Sequence, residues 1–573
     1  MKTLFHNGLI KTMEPAACSS RNYDEPGEKS KLSGNRLPTA LLVENSKIRD
    51  IGETRQLLEE HTDGKTLRID LKGRMLLPGF IDNHTHFFEY LKTERGVELK
   101  NAASLKDIKD LIETHLLKTS SASAAAANIN AGMEADNPPA RKLNETEWIY
   151  CYNLEKHKIK DYGDLDIRFL DSISPDFPLV IQSKDYHTRC CNSAALNLIG
   201  IDRMTPDPAG GKIGRFSNGE PDGFLFEKAW TLLTDYLKKN IAPHSVKTNI
   251  TSALPAALKK IYRYGITGLH CMENYNNYQA FRDIFDHKLR VCWHIYDEDI
   301  EEVIADKLIS YSGSDFRRFG TIKTFLDGSL GSSTALLSTA IDGNNSTSAS
   351  LLLEENELRE LILKCKNNGL GLSVHSIGDL STKIFLNLID ELYPKGEKVS
   401  PLIRLEHLQF IDAHDRCRIK ERGIYCSLQP YHISFDITLI ESLPSSLRDI
   451  AYPLAELFSL NCLTGFGSDA PIAEINPFWG IYCALTRKAD LDPLRDSWTP
   501  HQRLTTEQAL HGYTYGAALG SLSHKTLGSL TIGKAADLIV IDDYRQQPPE
   551  YWLEAKSYLT MINGRIVYNE LAF

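Results

Sequence analysis

Eight short apolar runs, several separated by helix-length stretches, set the strongest limit on how this chain can fold. One leads into residue 84; the others span 265–270, 289–294, 320–325, 371–375, 402–407, 423–428 and 463–469. Between two of them, Leu358, Leu361, Ile362 and Cys365 recur at helical spacing. Eight strand–helix units fit a closed barrel of parallel strands better than an open sheet, and such a barrel gathers its strand ends at one mouth. Five of these runs carry polar residues that can converge there: His84 with His86, then Lys323, His375, His407 and Asp469. Residues two apart on an extended chain point to the same side, so His84 and His86 can face one ion. On spacing alone that pair also fits two polar loop residues.

Composition narrows the function. With 573 residues, 42% hydrophobic and 24% charged, the chain can hold a large barrel and a second domain. A formal charge of -10 offers no general basic surface for a phosphate backbone, so nucleic acid is a poor partner. The 11 cysteines are sparse, odd in number and irregular, which suits a reducing compartment. No stretch reaches 18 apolar residues and the first residues lack an apolar targeting core; the expectation is a cytoplasmic protein with no membrane association.

Residues 4–10, 40–52, 537–541 and 560–567 read as short strands, with Asn7-Gly8 and Asn563-Gly564 as hairpin cues. The fold expected is α/β: a TIM-like (β/α)8 barrel, a small β-sandwich formed by both termini, and a large insertion after the first barrel strand. The domain expectation is 1–73 and 531–573 for the composite β domain and 74–530 for the barrel, including an insertion at 87–264. Within the insertion, the Ala/Ser run at 120–127 leads toward Asn137-Pro138-Pro139 and reads as a poorly packed surface segment. Residues 342–348 read as a flexible crossing between barrel units.

Imidazoles and a carboxylate can hold a divalent ion and leave a position for water. His375 and His407 end apolar strands, where an unpaired imidazole is costly to bury. Glu406 precedes His407, but strand alternation argues against both ligating one ion, so Glu406 is assigned to an ion pair or neighbouring element. Asp379 fits either a loop or His375 support, or a helix cap. Asp327, Gly328 and Ser329 read as a turn that supports and encloses substrate. His270 ends the second strand and is assigned to packing at the border of the site. Tyr431 and His432 follow the seventh strand; Phe87, Phe88 and Tyr90 follow the first metal pair. These aromatics permit an apolar substrate pocket, with core packing the default for Phe87 and Phe88.

The chain resembles the amidohydrolase superfamily, in particular the amidohydrolase-3 group of predicted metal-dependent hydrolases. The resemblance covers nearly the whole length and rests on GFIDNHTH at 79–86, KTFLDGSLGS at 323–332, HSIGD at 375–379, EHLQ at 406–409, QPYH at 429–432 and GSDAP at 467–471. It implies metal ligation by His84, His86, Lys323, His375, His407 and Asp469, with zinc, one or two ions, or another divalent metal. It further implies that a carboxylated Lys323 bridges two ions; a mononuclear site with a free Lys323 amine is the alternative. Asp469 is then the proton shuttle, Lys323 and His432 share the catalytic machinery, and His187, Glu227, Tyr431 and His432 contact substrate. A homodimer is a further implication.

Three functions follow as expectations. The first is hydrolysis of a non-peptide C–N bond in a small amide or N-acyl compound by metal-activated water. The second is hydrolytic deamination of a small heterocycle, which Lys323 argues against. The third is metal-dependent binding without turnover.

Overall fold

In the computed structural model, eight parallel strands pair in strict chain order: β1 (Phe80–Thr85), β2 (Ile266–Glu273), β3 (Arg290–Tyr296), β4 (Arg317–Phe325), β5 (Leu372–Ser376), β6 (Arg404–His407), β7 (Tyr425–Leu428) and β8 (Leu463–Phe466). It describes residues 2–14, 37–61, 64–94, 96–130, 148–183, 188–208, 210–240, 243–339, 350–399 and 402–571. The ring closes just past β8. Thr85 bridges Ala470 in parallel, the Asp469 N–H donates to the His84 carbonyl at 2.7 Å, and the His86 N–H donates to the Ala470 carbonyl at 2.8 Å. The expected (β/α)8 barrel is therefore the architecture. Every residue of β1, β2, β6 and β7 is buried, the pattern of parallel strands covered on both faces. Helix Glu355–Asn367 buries Leu358, Ile362 and Cys365 and starts with a capping box between Glu354 and Glu357.

Two further sheets come from the chain ends. Strands Lys47–Gly52, Ala40–Glu44, Lys2–His6 and Thr66–Asp70 form one; Leu9–Ile10, Met75–Pro78, Leu538–Ile541, Leu559–Ile562 and Arg565–Asn569 form the other. Phe5, Leu41, Val43, Ile69, Leu76, Leu538 and Met561 pack in one apolar core between them, the expected sandwich. The N-terminal segment feeds both sheets, whereas the C-terminal segment feeds only the second. The chain passes from sandwich to barrel at Gly79. Its N–H donates to the Asp537 carbonyl, and that of Phe80 donates to the Gly265 carbonyl. A Cβ on Gly79 would stand 2.3 Å from Thr267 Cγ2, so the crossing admits only glycine.

The two Asn-Gly pairs differ. Asn563 (φ 51) and Gly564 (φ 75) turn a hairpin between antiparallel strands, as expected. Asn7-Gly8 does not close a hairpin: it carries the chain from Lys2–His6 in one sheet to Leu9–Ile10 in the other. The dipeptide supplies the bend, and the partners available to the flanking strands decide what the bend joins.

The chain divides into two compact units, Met1–Phe87 with Leu258–Phe573, and Phe88–Ala257. The second holds a six-stranded sheet in the order Gly211–Arg215, Pro221–Glu227, Thr188–Cys191, Leu179–Ser183, Ile149–Leu154, Val97–Glu98. Its core includes Ile108, Ile112, Cys151, Leu170, Leu179 and Ile181. The Ala/Ser run at 120–127 continues helix Leu105–Asn130, as alanine's low helical cost allows. Residues 137–139 and 342–348 lie outside the described residues. Ten described cysteines are free thiols, and no helix among the described residues is long and apolar enough to cross a membrane.

Candidate metal centre

The end of β1 and the segment after β8 are fastened by one carboxylate. Asp82 Oδ1 accepts the backbone N–H of His84 at 3.2 Å and that of Ser468 at 2.9 Å. Two proposed ligands sit on left-handed backbone, His407 at φ 75 and Asp469 at φ 63. Such geometry costs a non-glycine residue about 1–3 kcal/mol and must be imposed by its surroundings. The Leu408 N–H, bonded to the Ser376 carbonyl at 3.0 Å, and the Asp469 N–H, bonded to His84, impose it here.

His84, His407 and Asp469 form a buried cluster whose candidate ligand atoms lie within 4.8 Å of one another. Asp469 Oδ1 is 3.4 Å from His84 Nε2 and 3.2 Å from His86 Nε2. Two tautomers follow from the acceptors of these imidazoles. His84 Nδ1 donates to Glu406 Oε2 at 2.7 Å, and His407 Nδ1 donates to Gln429 Oε1 at 2.9 Å. Each ring therefore keeps its lone pair on Nε2. His375 Nε2 donates to the Gly328 carbonyl at 3.2 Å, leaving the lone pair on Nδ1. Burial depresses the imidazoles of His84, His375 and His407, with His375 brought to about 3, so all three are neutral near pH 7. Burial opposes ionisation of Asp469, yet the surrounding His84, His86 and His407 hold its carboxyl below the usual range.

His84 Nε2, His432 Nε2 and Asp469 Oδ1 are buried and lack a hydrogen-bond partner. Buried polar atoms normally find one. Neutral imidazole nitrogens and a carboxylate left facing one another fit a divalent cation by number, charge and chemistry.

Lys323 is fully buried at the end of β4; Nζ donates to the Thr324 carbonyl at 3.0 Å and lies 3.6 Å from the Phe325 ring centroid. Burial brings its amine down to about 8, although Glu406, Asp469 and Asp297 favour the ammonium. The His375 ring lies 4.4 Å from that of His407. Asp327 shapes the neighbouring loop by accepting N–H groups of Leu336, Ile377 and Gly378 and the Ser381 hydroxyl. Asp379 accepts the Ser338 N–H at 2.9 Å, so it serves that loop and not His375.

His432 Nε2 stands 3.9 Å from Asp469 Oδ2, and Tyr431 packs against the rings of Phe435 and Trp479. Glu227 ends a strand of the second unit, exposed and at φ 48. His187 lies outside the described residues. His270 is not on the rim: its Nδ1 accepts from the Arg404 guanidinium at 2.7 Å.

Sequence reading assigned no role to Tyr296, whose hydroxyl lies 3.0 Å from His86 Nδ1, or to Arg404. Tyr296 gave a positional signal as the last residue of β3. Arg404 gave a chemical one, since RLEH places two charges on one side of a short buried strand. Around Arg404 a polar layer crosses the barrel interior. Asn83 Nδ2 donates to Ser427 Oγ at 2.9 Å, His294 Nδ1 meets Thr321 Oγ1 at 2.7 Å, and Thr321 Oγ1 meets Ser373 Oγ at 2.6 Å.

A family model described as Amidohydrolase family matches residues 68–568. A putative amidohydrolase YtcJ of Bacillus subtilis (strain 168) is 29% identical over 583 aligned positions, covering 100% of both chains. An N-substituted formamide deformylase of Arthrobacter pascens is 23% identical, covering 89% of this chain and 90% of its own. Among solved structures, an uncharacterized metal-dependent hydrolase from Pyrococcus furiosus superposes with a TM-score of 0.71 at 23% identity, covering 96% of this chain and 100% of that one; at that identity the likeness shows the fold.

Proposed function

We propose, from a chain that belongs to the amidohydrolase family, that the rim of the barrel hydrolyses a non-peptide C–N bond in a small amide or N-acyl compound. The observation that carries this reading is the meeting of His84, His407 and Asp469, with His84 Nε2 and Asp469 Oδ1 left without protein partners. A divalent ion held there supplies a Lewis acid and lowers the pKa of water from about 15.7 toward about 7. His84, His86 and Asp469 would hold one ion, and His375 and His407 a second; zinc suits the donor set.

Asp469 is the proton shuttle. Its ionised carboxylate accepts a proton as water adds to the substrate carbonyl carbon, then delivers it to the nitrogen as the C–N bond breaks, releasing a carboxylic acid and an amine. His432, 3.9 Å from Asp469, faces the reacting end of the substrate and helps to position it.

Lys323 completes a two-ion version. A buried amine brought to about 8 is neutral in about one molecule in ten at pH 7, well above an ordinary lysine with its pKa of about 10.4. Its nitrogen adds to carbon dioxide, releasing a proton and leaving a carbamate whose oxygens would serve as further metal ligands. Peptide mass spectrometry showing one added carbon dioxide on Lys323, with two ions per chain, supports this version. An unmodified amine with one ion supports the mononuclear site.

The deformylase relative directs the substrate panel toward N-substituted formamides, alongside longer N-acyl amines and cyclic amides. Protein stripped by a chelator and reloaded with zinc is expected to release acid and amine from members of that panel. Ammonia released only from heterocycles identifies a deaminase. Ligand binding with no turnover identifies a binding protein.

A further inference from the structure

We propose that Arg404 and Glu406 form a positioning device that locks His84 and thereby sets how tightly the rim holds a divalent ion; this rests on the metal-centre reading above. Both side chains are fully buried inside the barrel. Stability does not explain them: apolar residues of similar volume commonly hold a fold as well as a buried ion pair, or better. Their bonds point to another task. The Arg404 guanidinium donates to Glu406 Oε1 at 2.9 Å, to the Asn83 carbonyl at 2.9 Å, to the Gly520 carbonyl at 3.1 Å and to His270 Nδ1 at 2.7 Å. Glu406 is thus anchored through one oxygen, and its other oxygen accepts the His84 Nδ1 proton at 2.7 Å.

A carboxylate behind a ligand imidazole fixes its tautomer and orientation and raises its basicity as a donor. His407 offers an internal contrast, because its Nδ1 proton goes to the neutral Gln429 carboxamide. Only His84 has an anchored anion behind it in this pair of ligands. Because Arg404 also bonds the Asn83 carbonyl, the same guanidinium holds the strand that carries His84.

The test compares wild type with Glu406→Gln and with the double variant Arg404→Met/Glu406→Leu, which leaves neither charge unpaired. Each is stripped of metal, and three properties are measured: thermal midpoint of the apo form, zinc affinity against a chromogenic chelator, and the visible spectrum with cobalt(II). Both variants are expected to bind zinc about 10- to 100-fold more weakly and to show a shifted cobalt spectrum. The double variant is expected to keep a midpoint near wild type. Wild-type affinity and spectrum in the double variant overturn the proposal, even if Glu406→Gln fails to fold. If wild type itself binds neither zinc nor cobalt, the metal-centre reading falls and takes this inference with it.

Discussion

The rim and the layer just beneath it are built on the same strands, yet they treat polar atoms in opposite ways. In the layer, Arg404, Asn83, Ser427, Thr321 and Ser373 bond one another across the barrel, with His270 Nε2 and Asn83 Oδ1 left over. On the rim, His84 Nε2, His432 Nε2 and Asp469 Oδ1 crowd together without bonds. One step along β1, from Asn83 to His84, crosses from a nearly saturated network to an unsatisfied one. The difference teaches that burial alone does not mark a site. Buried polar groups bonded mostly to protein hold the barrel together; several unpartnered ones gathered at the strand-end mouth suit a bound ion.

That contrast predicts a division of labour. Asp469→Asn is expected to lower kcat by about 100- to 10,000-fold while the protein keeps its apo thermal midpoint, read by steady-state kinetics and melting on the same sample. Unchanged turnover with intact metal removes Asp469 from proton transfer. Asp537→Asn should do the reverse. Asp537 accepts from Arg290 at the start of β3 and from the Asn563 N–H, and the Arg290 and Asp537 side chains are only 5% and 6% exposed. Removing one partner of such a pair costs about 3–5 kcal/mol, measured by denaturant unfolding, with zinc affinity unchanged. A loss of affinity there would erase the separation between supporting and binding polar groups.

The smallest effect belongs to the surface. Arg418 and Arg422 both donate to Asp390, whose side chain is 40% exposed. Burial works against its ionisation, but the two guanidiniums outweigh it and depress the carboxyl. Its stabilisation is complete above the unfolded carboxylate pKa, about 3.9, and is lost as pH falls through the lower folded value. Asp390→Asn should therefore cost at most about 1 kcal/mol at pH 7. The gap from wild type should close as the solution is acidified below about pH 4; a gap that widens there contradicts the assignment.

The barrel and its rim were legible because each ligand candidate follows an apolar run, a pattern that burial on both faces imposes on parallel strands. The layer was not. Strand alternation correctly separates Glu406 from any ion shared with His407, but cannot say that Glu406 reaches His84 on a strand far away in sequence. Alternation also fails at the strand end itself, where φ 75 at His407 turns the chain out of extended geometry. Asn7-Gly8 and Asn563-Gly564 carry the same local signal and serve different connections, since pairing partners lie outside any short window. The alanine run at 120–127 shows propensity prevailing where no apolar periodicity announced a helix.

Anomalous diffraction at the zinc edge from crystals of zinc-loaded protein tests the central claim most directly. The account predicts anomalous density at the rim, with each peak at coordination distance from ligand atoms of His84 and Asp469 or of His407. Anomalous density confined to the other acidic clusters, Asp50 with Glu60 and His61 or Asp412 with His414 and Asp415, with none at the rim, would contradict it.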